Sequence, residues 1–226
     1  MSSYAEVVVL TEGRTEQIFI KQLLAPYMSM RGAYLTPVQL DKPGQKGGDV
    51  RFARAKNDIA RYLKQRKSTY VSLMIDYYGI GTDWPGLDDI PSDAKPDGIA
   101  SIIYAATQAA IDTELADYRS NARFVPHISI HEFEALLFSD PHALAKVLQV
   151  DRQHIDKIIR ECGEPEAIDN SPLSAPSKRI SQLYERFKKT STGIAIAELI
   201  GIERMRSMCP VFNSWLDRLE SLAAAT

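Results

Sequence analysis

Glu6-Val7-Val8-Val9-Leu10-Thr11-Glu12-Gly13-Arg14-Thr15-Glu16 is the stretch on which the reading of the chain turns. Val7 to Leu10 is apolar at consecutive positions, the pattern of a strand buried on both faces. The run stops at an acid and a glycine. Gly13 permits a tight turn, and Thr15 is a candidate N-cap for a helix carrying Ile18, Phe19, Leu23 and Leu24. Glu12 is thereby placed at the carboxyl end of a buried strand, where open α/β sheets collect ligands and chemistry. Glu16 falls in the first helical turn on the same side. Two readings stay open for this pair. They are a loop acid and a first-turn acid favoured by the helix dipole, or they are ligands of a divalent cation. The second reading requires more carboxylates from other strand ends.

The chain supplies them. Tyr70-Val71-Ser72-Leu73-Met74-Ile75 is a second buried strand that runs straight into Asp76, followed by Tyr77-Tyr78-Gly79. Phe124 to Ile130 is a third, continuing into His131-Glu132-Phe133-Glu134-Ala135-Leu136-Leu137-Phe138. On an ideal helix Phe133, Leu136 and Leu137 share one apolar face, and Glu132 and Glu134 flank it on opposite sides. Of the two, Glu132 is favoured because it lies nearer the strand end. His131 is a candidate ligand, base or phosphate donor, against the bland reading of a structural histidine.

The remaining elements surround these strands. Ala33 to Leu40 reads as an edge strand interrupted by Pro37. Lys42 to Gly48 reads as a loop, and Asp49 as the N-cap of a helix reaching Gln65. Between Asp41 and Lys67 there are nine Lys or Arg against three Asp, whereas Ser68 to Ala100 holds six Asp and one Lys. The basic helix is either a solvated face or a phosphate-tracking surface beside an acidic site. A long loop rich in Pro, Gly and Asp reaches Lys95, and loops of that length are usually functional or mobile. Asp97 could cap a helix through Tyr118. From Pro141 onward the chain reads as helical, over His142 to Leu148, Arg152 to Cys162, Ser177 to Phe187, Ile194 to Leu199 and Ile202 to Leu222. Gly163 to Pro176 is a proline-punctuated connection, and Lys188 and Lys189 extend the positive character of the segment after it.

Bulk properties narrow the classes. A chain of 226 residues, 45% hydrophobic, can bury one full core or a core with a small satellite. A net charge of -2 excludes a uniformly basic nucleic-acid binder while permitting a local basic groove. Cys162 and Cys209 form no CxxC pair and have no histidine cluster beside them, so neither a disulfide framework nor a zinc site is expected. The N-terminus lacks the pattern of a signal peptide, and no apolar run approaches about 18 residues. A cytoplasmic protein that does not enter the membrane is the expectation.

The motifs TEGRTE at 11–16, DYYG at 76–79 and HEFEALLF at 131–138, in that order, resemble a Toprim-like domain. More narrowly the chain resembles an uncharacterised bacterial family of that clan. The likeness includes Trp84-Pro85-Gly86, the APSKR segment at 175–179 and the set Cys209-Pro210, Phe212 and Trp215. The resemblance implies an α/β fold, a Toprim-like Rossmannoid core with a mainly parallel central sheet flanked by helices. It also implies a Toprim-like domain over 1–140 and a helical C-terminal extension over 141–226. Toprim modules serve topoisomerases, primases and the overcoming-lysogenization-defect nucleases, and hold Mg²⁺ or Mn²⁺. By the resemblance Glu12 is the first acid, Glu16 the second acid of the nuclease branch and Asp76 the first aspartate. Glu132 or Glu134 is the late glutamate. Tyr78 departs from the pattern, standing where the second aspartate of Asp-x-Asp belongs.

The activity so implied is metal-dependent phosphodiester cleavage, on DNA ahead of RNA. Glu12, Glu16, Asp76, Glu132 and His131 are the candidate catalytic residues, and Glu12, Glu16, Asp76, Glu132 and Glu134 the candidate metal ligands. Such nucleases often work with an ATPase. The sequence contains no GxxxxGK[ST] loop, so a separate ATPase partner, a homo-oligomer and an antiphage setting are expected from the likeness. The rival reading is a non-catalytic Toprim-like module that docks a partner protein, with Tyr78 marking lost chemistry.

Overall fold

The computed structural model describes residues 4–40, 50–168 and 174–224. The Lys42–Gly48 loop, the Asp49 cap and residues 169–173 of the proline-punctuated connection lie outside them.

A parallel sheet organises the molecule. β1 (Ala5–Thr11) lies between β2 (Ala33–Gln39) and β3 (Thr69–Asp76), and β3 pairs on its far side with β4 (Phe124–Val125) and β5 (Ile128–Ser129). The expected α/β class with a mainly parallel sheet flanked by helices is therefore what is found. β2 is an edge strand, which accommodates Pro37 because one side of the strand needs no donors. The strand expected over Phe124–Ile130 is split. Pro126 has no N–H to give to the ladder, and the pairing resumes at Ile128, opposite Ile75.

Alternate residues of the central strands enter different cores, as a two-residue side-chain period demands. Val7, Val9 and Met74 join Phe19, Leu24, Phe133, Phe138, Phe212 and Trp215 in one apolar cluster. Leu10, Val71, Leu73 and Ile75 join Ile59, Leu63, Ile103 and Ile111 in the other. The second face is covered by α3 (Phe52–Gln65) and α4 (Pro96–Leu115). On the first lie α1 (Arg14–Phe19), its continuation through a π-helical turn into α2 (Ala25–Ser29), and most of the later helices.

After the short α5 (Ser120–Arg123), those later helices are α6 (Pro141–Leu148), α7 (Arg152–Cys162), α8 (Pro176–Leu183), α9 (Ile194–Ile200), α10 (Ile202–Met208) and α11 (Pro210–Ala224). One helix was expected from Ile202 to Leu222. The chain breaks at Cys209 instead, which is extended as the residue before a proline should be, and Pro210 opens α11. Similarly α8 ends at Leu183, with Tyr184 extended, rather than at Phe187. The long loop before α4 is anchored by the buried Trp84, whose Nε1–H donates to Thr107 Oγ1 at 2.9 Å. The cap of α4 is Lys95, with Pro96 and Asp97 inside the first turn, so Asp97 complements the helix dipole without being the cap.

Candidate functional site

Because the strands are parallel, Thr11, Asp76 and Ser129 end on one side of the sheet. The chain that leaves each strand end carries the acids. Glu12 follows β1, and its carboxylate accepts the Asp76 N–H at 3.4 Å. The carboxylate lies flat against the Tyr77–Gly79 turn. A β-carbon on Gly79 would stand 2.0 Å from Glu12 Oε2, so only glycine leaves room for this acid.

Glu16 does two things. Its Oε2 accepts the Gly13 N–H at 3.0 Å, closing the start of α1. Gly13, not Thr15, is thus the N-cap. The same buried carboxyl faces Glu12, and its proton affinity is raised by burial and then by the Glu12 charge. Asp76 accepts the Phe133 N–H on Oδ1 at 3.0 Å, which ties the end of β3 to the segment after β5. Burial, followed by the charges of Glu16, Glu134 and Glu12, holds its pKa well above the ordinary carboxylate value.

The HEFEALLF segment is a 3-10 helix over Phe133–Ser139, entirely buried, and not the regular α-helix expected. Only these residues fit between β5 and Pro141, and the preceding Asp140 is extended and caps α6. With the tighter turn, Glu132 and Glu134 have different surroundings. Glu132 accepts the Ser177 N–H at 2.9 Å and the Ser177 hydroxyl at 3.0 Å, at the start of α8. Glu134 is 1% exposed and turned towards Asp76 and Glu16, so it is Glu134 rather than the favoured Glu132 that faces the other acids. Its Oε2 pairs with Lys189 Nζ at 2.8 Å, while its buried Oε1 has no hydrogen-bond partner. Burial pushes the Glu134 carboxyl up to about 7, despite the opposing pull of Lys189.

Lys189 therefore belongs to the site, although its sequence gave only a general positive character. It lies in a π-helical turn, Lys189–Gly193, and also reaches Glu132 at 3.5 Å. Burial by itself would make the ammonium easier to deprotonate, and the charges of Glu134 and Glu132 outweigh it and raise its pKa. No spacing rule links residue 189 to a strand end some 55 positions earlier. Ser177 lies within the APSKR segment, and its contact with Glu132 likewise leaves no local signature in the sequence. His131 lies at the rim. Its Nδ1 is 2.5 Å from Tyr78 Oη, and the two rings stack at 5.3 Å between centroids with 18° between planes.

All six sequence candidates thus come from one side of the sheet. Clustered acids, three of which (Glu16, Asp76 and Glu134) have their proton affinity raised first by burial and then by neighbouring charge, are the chemistry of a site that accepts a cation. Oxygen donors alone suit a hard divalent ion such as Mg²⁺ or Mn²⁺, and the orphaned Glu134 Oε1 is a lone pair with nothing to bind. Among the described residues, no group of three or more His, Cys, Asp or Glu already stands at metal-ligating spacing. The donor set fits the ion in kind and in neighbourhood, with Lys189 supplying positive charge.

Elsewhere, part of the basic character of α3 is taken up locally. Lys56 pairs with Glu114 at 2.5 Å, Arg61 with Asp58 at 3.0 Å and Arg66 with Glu6 at 3.8 Å. A groove of about 600 Å³ between Tyr4, Tyr34, Tyr62 and Arg66 shares no residue with the acids. Among the described residues no helix is long and apolar enough to cross a membrane.

Fold and site together define an α/β protein with a parallel sheet and an acidic centre at its carboxyl edge. The chain belongs to the family described as a domain of unknown function, DUF4276, whose model matches residues 11–220. The fold is similar to the C-terminal region of the Burkholderia pseudomallei OLD protein, at 12% identity and a TM-score of 0.46, over 96% of this chain and 98% of that one. No curated protein sequence matches the chain.

Proposed function

We propose that this protein is a Mg²⁺- or Mn²⁺-dependent phosphodiester-cleaving enzyme of Toprim type that acts on nucleic acid, DNA ahead of RNA. The observation that carries the reading is the convergence of Glu12, Glu16, Asp76 and Glu134 from three strand ends, with Asp76 made a weaker acid by burial and then by the other three. Side chains that served only the fold would not be stacked against one another at such electrostatic cost. The order of the sequence motifs supports the same class.

In this reading Glu12, Asp76 and Glu134 hold the ion, and Glu16 completes the set from the start of α1. The ion, once bound, supplies Lewis acidity towards the phosphate. The protein's part is to keep the carboxylates ionised around it, to take the proton of the attacking water, and to neutralise the phosphate with Lys189. A separate ATPase is the proposed partner. The rival reading is a docking module in which Lys189 is the permanent counter-ion of Glu134, a role its 2.8 Å contact would also serve.

Plasmid, linear duplex DNA and RNA, each incubated with Mg²⁺, Mn²⁺ or a chelator, separate the two. Cleavage that needs the metal and falls by about 100-fold or more in Glu12→Gln and Asp76→Asn supports the enzyme. Absent cleavage, or cleavage indifferent to both substitutions, overturns it.

A further inference from the structure

We propose that the groove between strand β2 and the carboxyl end of α3 binds the base and phosphate of a nucleotide, either free or within a single strand. The groove is separate from the acidic centre, and its role does not depend on the reading of that centre.

Side-chain alternation along the strands makes the groove. Ala5, Val7, Ala33 and Leu35 enter the core on one face of the sheet. Glu6 and Val8 of β1, Tyr34 and Thr36 of β2 and Thr69 of β3 therefore share the other face, on which α3 packs. α3 covers that face only in part. A cavity of about 600 Å³ is left, floored by the strands and walled by Tyr62 of α3 and Arg66 at its end. The volume suits a small organic molecule. Glu6 and Thr11 stand towards opposite ends of β1, about 17 Å apart, so the floor of the groove is remote from the acids that follow the strand ends.

Three observations identify the occupant. Tyr4 and Tyr34 are 54% and 51% exposed, and their rings meet edge to face at 5.4 Å between centroids. With Tyr62 they offer aromatic surface to one space, and stacking on such rings is how proteins hold unpaired bases. Thr69 lines the same groove at 5% exposure, and its buried hydroxyl has no hydrogen-bond partner among the described residues. A buried polar atom in a native fold is normally satisfied, and a turn to another staggered rotamer aims this one at the edge of a bound ring. Arg66, whose side chain is 73% exposed, faces Glu6 at 3.8 Å. A surface pair of that kind is weak, so a phosphate competes for the guanidinium, which Lys64 and Lys67 flank in sequence. Aromatic walls, an unsatisfied hydroxyl and a basic rim match the base and phosphate of a nucleotide. An extended peptide added to β2 fits less well, since Pro37 removes a main-chain donor from that edge strand.

The test is fluorescence anisotropy of labelled oligothymidine and oligoadenine strands of about twelve nucleotides, titrated with the full chain in EDTA and competed with AMP. The chelator prevents metal-dependent cleavage during the titration. Saturable binding is expected in wild type, weakened about tenfold or more in Tyr34→Ala and about threefold or more in Thr69→Val, and unchanged in Glu12→Gln. Thr69→Val keeps the thermal midpoint of wild type, because its hydroxyl has no bond to lose. Arg66→Ala lessens the dependence of binding on salt. Displacement by AMP shows that a single nucleotide fills the groove, and strands that AMP does not displace show that a longer stretch is needed; either supports the proposal. Absent binding, or binding undiminished in Tyr34→Ala or in Thr69→Val, overturns it. A wild-type dimer in sedimentation velocity that dissociates in Tyr34→Ala would assign the face to a second copy of the chain and overturn it as well. The phosphodiesterase reading stands or falls separately, on cleavage with metal.

Discussion

Glu134 is buried, carries one oxygen paired with Lys189 and one with no partner, and holds its proton up to about pH 7. Its folded pKa is raised above the value of 4.5 expected in the unfolded chain, so the folded state binds the proton more tightly. The contribution is complete below about pH 4.5 and is lost as the pH rises towards 7. We expect urea unfolding to show stability falling over that interval. Glu134→Gln should remove about 1–3 kcal/mol of the difference between pH 5 and pH 7. An unchanged slope in the variant would refute the assignment. Gly79 makes a second, independent point. Gly79→Ala puts a methyl where the Glu12 carboxylate now lies. It should leave the midpoint of thermal unfolding within a few degrees and weaken Mn²⁺ binding by about tenfold or more, the effect of misplacing one ligand.

The elements that deliver these residues were legible to different degrees. Val7 to Leu10 and Val71 to Ile75 have no polar interruption and end abruptly in acids, so strands β1 and β3 and the positions of Glu12 and Asp76 could be read directly. Edge strand β2 was marked by Pro37. The third strand is legible as apolar, but Pro126 divides it, and the segment after it is a 3-10 helix where its apolar spacing predicts an α-helix. Glu132 is favoured in the sequence by its nearness to the strand end, yet it is Glu134 that faces Asp76 and Glu16, a direction set by the tighter 3-10 turn. Contacts over long sequence separations left no local trace. Lys189 against Glu134 and Ser177 against Glu132 are of that kind. So is Arg123, a buried guanidinium that donates to the carbonyl oxygens of Leu63, Arg66, Thr69 and Tyr118, locking the end of α3 to the start of β3. Replacement by methionine removes these bonds and leaves the buried carbonyls of Leu63 and Thr69 without the guanidinium, and a loss of about 2–4 kcal/mol in unfolding free energy is expected. Lysine cannot reproduce the fork and should rescue little of it. A loss below about 0.5 kcal/mol would show that these bonds are replaced by water.

For the molecule as a whole, the sheet is covered on both faces, and much of one cover comes from residues after Pro141. Trp215 shows how close the joint is. Its Nε1–H donates to Ser72 Oγ on the central strand at 2.9 Å, and its ring stacks on buried His127 at 4.2 Å. Burial lowers the pKa of His127 to about 3, so the stack is between neutral rings across the ordinary range of pH. A chain ending at residue 140 would expose the apolar residues of β1 and Phe19 that Phe212, Trp215 and their neighbours cover. It is expected to bind hydrophobic dyes and to melt without a cooperative transition, and a sharp transition in that fragment would show that the sheet does not need its C-terminal cover.

The same whole-molecule arrangement gives the acidic centre its central property. Carboxyl groups from separate elements are held together with raised proton affinity, and a divalent ion is what would let them stay ionised. Calorimetric titration of Mn²⁺ into wild type, Glu12→Gln and Asp76→Asn near pH 6.5, in two buffers of different ionisation enthalpy, tests this directly. The expected result is saturable binding in wild type with release of protons from the raised carboxyls, weakened by about tenfold or more in each folded variant. Absent binding, or equal binding in all three proteins without proton release, would contradict it.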